Sequence, residues 1–369
     1  MLVGAEAFLH ALRIDLPGCH HSLYAQFMTY EGDASGQAFS ALLAEKAAAG
    51  VDVRLLVDGY TDVVLSDVYP LLLHRWRAVR AERARTRALF DRLRAGGVGV
   101  RRTAPPGFLG RYMLYRNHKK MVVLDEQIAY VGGINISDHN FAWHDFMVRV
   151  EGPLVHDLAR DFCSTWDGHT VALATPRPNL DFVLNQCAGR YSIFAEVLSM
   201  IDRAEQTLVI ESPYLLGDQI ERRIRAAAER GVRVTIVLPG RSNKLLYRLW
   251  VRKLLQRLSH PNIALYGFAA DGGMTHAKLI IVDDRWASFG SFNMIELEGL
   301  TQKELNIFTS QTRFIARLNA LIADDRARSH PLPPPRTTYG RFTYSLLYRA
   351  VRWWTNRLLR NPKWKARYC

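Results

Sequence analysis

The 369-residue sequence is poor in cysteine and has no long apolar run. Its four cysteines form no CxxC pair and no disulfide framework, which predicts reduced thiols in a cytosolic protein. No apolar run reaches the roughly 18 residues that a transmembrane helix needs, so no spanning segment is expected. The N-terminus lacks a basic start followed by a long apolar centre, so it is not expected to be a signal peptide.

Acidic residues are absent after Asp325, whereas residues 331–369 contain nine basic residues. Much of the formal net charge of +14 therefore comes from the C-terminal tail. A basic surface of this kind favours nucleic acid or an anionic membrane as a partner. The charge alone leaves both partners open.

One 19-residue pattern occurs twice in the chain. Residues 117–135 read NHKKMVVLDEQIAYVGGIN, and residues 275–293 read THAKLIIVDDRWASFGSFN. His, Lys, Asp, Gly and Asn recur at identical spacing, which chance does not readily produce. The matched positions are His118, Lys120, Asp125, Gly132 and Asn135 in the first copy, and His276, Lys278, Asp283, Gly290 and Asn293 in the second.

The apolar residues between each Lys and Asp predict a buried strand. Because residues i and i+2 of a strand point to one face, His118 and Lys120 are expected to share a face, as are His276 and Lys278. A second apolar segment follows each Asp and predicts another strand. The turn after that strand would present Asn135 or Asn293.

Two imidazoles, two ammonium groups and two carboxamides suit a phosphodiester substrate. One neutral His can attack phosphorus while the other protonates the leaving oxygen. The Lys and Asn donors can stabilise charge on the phosphate oxygens. The histidines could instead be metal ligands, but Lys is not a usual ligand and no HxH or HExxH pattern occurs, so no metal is expected. They could also be core residues, which the duplication disfavours.

The repeat extends beyond this pattern. Residues 21–33 resemble residues 206–218, and each segment is followed by a helical stretch that ends at Gly50 or Gly231 and leads into another strand. Alternating strands and helices predict an α/β fold with two αβ repeats, packed about a pseudo-twofold axis with the active site at their interface. The predicted parts are a first repeat (1–173), a connector (174–184), a second repeat (185–330) and a basic aromatic tail (331–369).

The paired HxKxxxxD pattern resembles the signature of the phospholipase D superfamily. The resemblance implies that His118, Lys120, Asp125, His276, Lys278 and Asp283 form the catalytic signature. Within it, Asp125 and Asp283 are expected to pin turns at strand ends and not to act as acid or base. The resemblance further implies that carboxylates placed like Asp145 and Glu304, each a similar distance after one motif, hold the two histidines.

Further sequence segments resemble those of bacterial cardiolipin synthases, in particular the shorter type that lacks N-terminal membrane spans. They include HKKMVVLDEQIAYVGGINISD, LLVDGYTD and VRVEGP. This resemblance implies phosphatidyl transfer between two phosphatidylglycerols, with release of glycerol, through a phosphohistidine. It requires no cofactor. His118 is the preferred nucleophile and His276 the preferred acid, then base, although the sequence is nearly symmetric here.

Three basic amphipathic segments favour an anionic phospholipid membrane as the partner. They are residues 71–94, residues 242–258 and the tail, in which Tyr344, Leu347, Val351, Trp354 and Leu358 can share one helical face. The alternative for each is a helix packed on the core. The expected location is peripheral, at the cytoplasmic face of the bacterial inner membrane.

Other activities of the same superfamily remain open. A lipid hydrolase would use water as the acceptor, and an endonuclease would share all the motif residues and the basic charge. A nucleic-acid partner is less favoured than a membrane. A non-catalytic membrane scaffold is disfavoured because both copies retain His, Lys and Asn.

Overall fold

The computed structural model describes residues 1–63, 76–105, 114–173, 181–187, 192–243, 245–269 and 273–333, together with residues 349, 353 and 357. The chain divides into two compact units. The first contains Met1–Thr175 and Gln302–Leu305, and the second contains Pro176–Thr301 and Asn306–Cys369.

The first unit is built on a seven-stranded sheet in the order β1-β7-β6-β5-β2-β3-β4. The strands β2, β3 and β4 are parallel, and the remaining neighbours are antiparallel. Its elements are β1 (Leu2–Val3), α1 (Gly4–Asp15), β2 (Ser22–Phe27), α2 (Ala34–Ala48), β3 (Asp52–Asp58), α3 (Trp76–Ala95), β4 (Gly99–Thr103), β5 (Met121–Leu124), β6 (Ile128–Gly132), α4 (Asp138–Phe141), β7 (Phe146–Glu151) and α5 (Leu154–Trp166).

The second unit is built on an eight-stranded sheet in the order β17-β12-β11-β9-β13-β14-β16-β8, with β10 and β15 forming a separate parallel pair. Its elements are β8 (Phe182–Gln186), α6 (Ser192–Arg203), β9 (Thr207–Glu211), β10 (Leu215–Leu216), α7 (Asp218–Glu229), β11 (Arg233–Pro239), α8 (Leu245–Arg257), β12 (Ile263–Phe268), β13 (Leu279–Val282), β14 (Trp286–Gly290), β15 (Met294–Ile295), α9 (Glu296–Thr301), β16 (Glu304–Thr309), α10 (Thr312–Ala327) and β17 (Ser329–Pro331). The first two residues of β16 are grouped with the first unit.

The two sheets share one strand order, which confirms the predicted α/β class and the duplication. The run β4-β3-β2-β5-β6-β7-β1 corresponds to β12-β11-β9-β13-β14-β16-β8, and in each run the first three strands are parallel. Gly50 and Gly231 follow α2 and α7 with φ of 85° and 98°. Glycine adopts this left-handed conformation without a steric cost, and both glycines therefore end a helix as predicted.

The described residues of the basic segments 71–94 and 242–258 include helices α3 and α8, whose buried apolar residues fit the alternative of helices packed on the core and not that of helices lying in a membrane interface. Helix α8 buries Trp250, and Leu258 directly after the helix is also buried, whereas a helix lying in a membrane interface would direct both towards the lipid. Helix α3 buries Leu89 and Phe90, half-buries Arg83 and exposes its other arginines. These helices therefore use their apolar faces for the core.

Three further expectations can be compared with the structure. Among the described residues, no helix combines the length and apolar character needed to cross a membrane. The five tail residues expected to share a helical face lie outside the described residues. Cys19 and Cys163 are free thiols, but Cys187 is disulfide-bonded, so the expectation of reduced thiols is wrong for Cys187.

Candidate active site

His118 and Lys120 of the first copy lie in the segment just before β5. The sequence predicted that they would lie within the strand. The backbone of this segment pairs with Lys303: His118 N donates to Lys303 O, and Lys303 N donates to Arg116 O, each at 2.8 Å. From the other side, Asp58 at the end of β3 accepts from Asn117 N at 2.6 Å and from Arg116 Nη1 at 2.9 Å. The residues before His118 are thus fixed by backbone pairing and by a buried ion pair.

Asp58 is completely buried, and sequence analysis did not select it. Burial raises the pKa of Asp58 to about 6, although Arg116 and two backbone N–H groups oppose this rise. The sequence feature that could have pointed to Asp58 is its place at the end of a buried strand, directly before a turn. Its contacts give it a positioning role for the motif segment.

His118 is buried and held by Glu304. Both carboxylate oxygens of Glu304 lie 3.1 Å from His118 Nδ1. An imidazole whose Nδ1 faces a carboxylate carries its proton on that nitrogen, which leaves Nε2 able to act as a base or nucleophile. Glu304 follows the second motif in the chain, yet the histidine that it contacts belongs to the first.

The two lysines that follow His118 have different partners. Lys120 donates to the carbonyl oxygen of His118 at 2.5 Å. Lys119 forms a buried ion pair with Asp161 of α5, with 2.7 Å to each carboxylate oxygen, and contacts Thr165 Oγ1 at 3.3 Å. Sequence analysis missed this pair, because the position of Asp161 in space follows only from the packing of α5.

The side chain of Lys303 carries its charge in an unfavourable environment. Burial, followed by repulsion from Lys119, lowers the pKa of Lys303 to about 8, while Asp161 partly opposes the effect. The segment that supplies Glu304 to His118 therefore also places a second ammonium group beside the Lys119–Asp161 pair.

The second motif repeats the same local geometry in the second unit. His276 and Lys278 are buried and precede β13. Lys278 Nζ lies 2.5 Å from the carbonyl oxygen of His276 and 2.9 Å from its Nδ1. Each motif lysine thus contacts the carbonyl oxygen two residues earlier, as Lys120 does.

In each copy, the residue before the motif histidine is hydrogen-bonded to a polar side chain of a neighbouring strand. This partner is neutral in the first copy and a carboxylate in the second. Gln26 donates to Asn117 Oδ1 at 2.8 Å. At the matching positions of the second unit, Thr275 donates its hydroxyl to the buried carboxylate of Glu211. The strand registers make Gln26 and Glu211 equivalent, since they lie opposite Met121 and Leu279.

Asp125 and Asp283 lie at the far end of β5 and β13 from the histidines. Asp125 accepts from the backbone N–H groups of residues 20, 21 and 22, and Asp283 accepts from those of residues 205, 206 and 207, all within 3.0 Å. Burial alone would raise the pKa of each, but the three donors hold it below its usual value. Both have positive φ in a tight turn. These contacts indicate the turn-pinning role that the sequence predicts, and a part in catalysis for either aspartate stays a prediction.

Asn135 and Asn293 are buried in equivalent positions, and their amides contact other protein groups. Asn135 Oδ1 accepts from Thr29 N at 3.1 Å. Asn293 Nδ2 donates to Glu298 at 2.7 Å. Their expected contact with substrate phosphate stays a prediction.

Asp145 occupies the place in the first unit that Glu304 occupies in the second sheet. Met147 pairs with Gly132, and Asn306 pairs with Gly290, which makes the residues two before them equivalent. A Cβ on Gly133 would approach the Asp145 carboxylate to 2.3 Å, so the absence of a side chain at Gly133 accommodates it. A histidine-orienting role for Asp145 remains a prediction.

The chain matches one protein-family model and is similar to several known proteins. The family model described as "Cardiolipin synthase, PLD-like domain" matches residues 16–166 and 197–326. Cardiolipin synthase of Halalkalibacterium halodurans is 27% identical over 339 residues, which cover 85% of this chain and 63% of the relative. Cardiolipin synthase B of Escherichia coli K12 is 28% identical over 349 residues, 87% of this chain and 79% of the relative.

The match therefore spans less than two thirds of the Halalkalibacterium relative. Among solved structures, phosphatidylserine synthase of Haemophilus influenzae Rd KW20 superposes with a TM-score of 0.70 at 14% identity, over 97% of this chain and 94% of that one. This likeness concerns the fold. The sequence resemblance to bacterial cardiolipin synthases is confirmed by the family match.

Proposed function

The chain belongs to the cardiolipin synthase, PLD-like domain family, and from this premise we propose that it is a phosphatidyltransferase that makes cardiolipin from two phosphatidylglycerols. The observation that carries the proposal is the buried His118, with Glu304 at Nδ1, repeated as a second buried His-Lys set at His276 and Lys278. Such paired sets suit two successive displacements at phosphorus.

In the first step, Nε2 of His118 attacks the phosphorus of one phosphatidylglycerol. An N–P bond forms, the bond from phosphorus to the glycerol oxygen breaks, and His276 donates a proton to the departing glycerol. Glu304 keeps the proton on Nδ1 and stabilises the positive charge that develops on the imidazole.

In the second step, a terminal hydroxyl of another phosphatidylglycerol attacks the same phosphorus. His276 now accepts the hydroxyl proton, the N–P bond breaks, and His118 returns to its starting state. Lys120 and Lys278 stabilise negative charge on the phosphate oxygens, assisted by Asn135 and Asn293. Every proton and bond is accounted for without a metal or an organic cofactor.

The proposed partner is an anionic phospholipid membrane, at the cytoplasmic face of the bacterial inner membrane. Three described tail residues support this: Arg349, Trp353 and Arg357 are helical, exposed and four residues apart. Trp353 is 62% exposed, and the Arg357 guanidinium lies 5.4 Å from its ring centre. A Trp flanked by arginines suits the headgroup region, where each basic residue contributes about 1 kcal/mol.

The test is mass spectrometry of lipids after incubation of the purified protein with phosphatidylglycerol vesicles. Cardiolipin and free glycerol are expected, and neither should form with His118→Ala or His276→Ala. Phosphatidic acid in place of cardiolipin would identify a hydrolase. If lipids are unchanged, including in mixtures with phosphatidylethanolamine, and single-stranded DNA is cut, the protein is a nuclease and the proposal is wrong.

A further inference from the structure

Helix α3 lines a cavity of about 260 Å³ with three arginines. Arg80, Arg83 and Arg87 occur at helical spacing on one side of the helix, and Val79 and Ala84 are the other described residues of the lining. The cavity thus combines cationic groups with a small apolar wall. The mechanism proposed above uses none of these residues.

Two arginines of this region have buried N–H groups without a hydrogen-bond partner in the described structure. They are Arg83 Nε and Arg102 Nη1. Another nitrogen of each guanidinium group does have a partner: Arg83 Nη2 donates to Val63 O at 3.0 Å, and Arg102 Nη2 donates to Asp62 at 2.8 Å. A buried charged donor left unpaired is costly, and native proteins seldom keep two in one cluster unless a ligand or water satisfies them.

Both arginines are repelled by neighbouring guanidinium groups. Burial lowers the pKa of Arg83, and nearby Arg87 lowers it further. Burial also lowers the pKa of Arg102, with Arg94 and Arg87 adding to the effect and Asp62 and Asp58 opposing it. Because Asp58 is already paired with Arg116, a bound anion would relieve the remaining repulsion among the guanidinium groups.

The arginine cluster lies near the first motif. Arg102 is next to Thr103 at the end of β4, and Thr103 Oγ1 accepts from Asn117 Nδ2 at 3.2 Å. Asn117 directly precedes His118. The carboxyl ends of parallel strands are where α/β sheets commonly bind ligands, and β3 and β4 both end here.

We propose that Arg83, Arg87 and Arg102 form a binding site for the phosphate of an anionic phospholipid headgroup. The planar guanidinium is well suited to phosphate, since it can donate two parallel hydrogen bonds. Phe90 lies beneath Arg102, with 4.4 Å from its ring centre to the guanidinium carbon, and fixes the guanidinium plane. Val79 and Ala84 would contact the glycerol part of the headgroup.

A lipid headgroup fits these observations better than a nucleic-acid strand. Among the described residues that line the cavity, no aromatic side chain is present on which a base could stack. The nearby Phe90 is buried beneath Arg102. The cavity is also small enough for one headgroup, whereas a strand needs an extended groove. The identification of the ligand as a phospholipid rests on the proposed function.

The test compares two double variants of equal charge on the same helix. Arg83→Gln/Arg87→Gln removes cavity arginines, and Arg85→Gln/Arg92→Gln removes two exposed arginines outside the cavity lining. Both are made in the full chain carrying His118→Ala, so that no lipid turns over. Binding of dihexanoyl-phosphatidylglycerol below its micellar concentration is measured by calorimetry, alongside inorganic phosphate and a single-stranded oligonucleotide.

The cavity variant should bind the short-chain lipid about tenfold or more weakly, given two lost charge-assisted contacts, and the control within about twofold of the parent. In the active background, the cavity variant should raise KM with little change in kcat. Equal binding by the two variants overturns the site. If only phosphate or the oligonucleotide depends on the cavity arginines, the lipid identity is wrong.

The two proposals can fail separately. Cardiolipin synthesis with equal lipid binding in both variants would retain the enzyme and reject the site. Arginine-dependent lipid binding without cardiolipin formation would retain the site and reject the activity. Circular dichroism and melting temperature of both double variants exclude unfolding as the cause, and Arg83→Lys/Arg87→Lys should restore part of the affinity, since it restores charge without the planar fork.

Discussion

The carboxylate of Glu304 lies 3.1 Å from Nδ1 of His118, although the two residues are 186 positions apart. The backbone pairing of Lys303 with residues 116–118 brings Glu304 to this place. The histidine of the first copy is therefore oriented by a carboxylate that follows the second copy. The first copy of the motif therefore does not contain everything that its own histidine contacts.

Replacing Glu304 should impair catalysis more than binding. Glu304→Gln keeps the shape of the side chain but removes the charge that stabilises a protonated His118. We expect kcat for cardiolipin formation to fall about 10²- to 10⁴-fold, the range over which acid–base catalysis contributes, while KM changes little. Steady-state kinetics across a pH series would also show a displaced profile, because the protonation of His118 would change.

A surface substitution, Glu229→Gln, serves as the matched control and should leave kcat unchanged. A Glu304→Gln enzyme that keeps both its full kcat and the wild-type pH profile would show that Glu304 is not a positioning residue.

The aspartates of the signature should matter for stability and not for chemistry. Asp125→Ala removes the acceptor of three backbone N–H groups and puts alanine at a positive φ, so the free energy of unfolding should fall by about 1–3 kcal/mol. Asp283→Ala should behave alike. Urea titration measures the loss, and activity per folded molecule should stay within about twofold.

Asp125→Asn is the milder comparison, since asparagine tolerates the left-handed conformation and retains one acceptor. A hundredfold loss of activity in folded Asp125→Ala protein would instead place this carboxylate in the chemistry.

The duplicated fold could be predicted because its signals are local. Each signal depends only on residues that are close in the chain. These signals are the apolar run before Asp125, the glycines that end α2 and α7, and the identical spacing of the two motifs. Glu304 was expected to hold a histidine, but that this histidine is His118, and that Lys119 pairs with Asp161, could not be predicted, because each pairing depends on how distant segments pack. The surface that α8 packs against could not be predicted for a related reason: an apolar helix face that includes Trp250 is equally typical of a membrane interface and of a protein core.

Replacing one member of the buried ion pair Lys119–Asp161 should destabilise the protein much more than replacing both. The second unit has Ala277 where the first has Lys119. Its buried helix positions Ile315, Leu318 and Ile322 match Val155, Leu158 and Phe162, which makes Leu321 the counterpart of Asp161. Asp161→Leu alone leaves an uncompensated buried ammonium and should cost about 3–5 kcal/mol of stability.

The double variant Lys119→Ala/Asp161→Leu copies the apolar pair of the second unit and should recover most of that loss. Denaturant unfolding of the wild type, both single variants and the double variant gives the coupling free energy. Additive losses in this cycle would mean that the two charges do not depend on each other.

Lys303 should make stability depend on pH in the alkaline range. Its pKa is about 8 in the folded protein, against 10.5 for an unperturbed lysine. Between these values the unfolded chain binds more protons, so Lys303 adds stability as the pH rises from about 8 towards 10.5.

Lys303→Met removes this contribution together with the repulsion from Lys119, and it should be more stable than the wild type at pH 7.5, with an advantage that shrinks towards pH 10. Lys303→Arg stays charged throughout and should lose stability relative to the wild type over the same interval. Urea titrations of the three proteins at pH 7.5, 8.5 and 9.5 measure these differences, and differences that stay constant with pH would show that the Lys303 ammonium is not under strain in the folded protein.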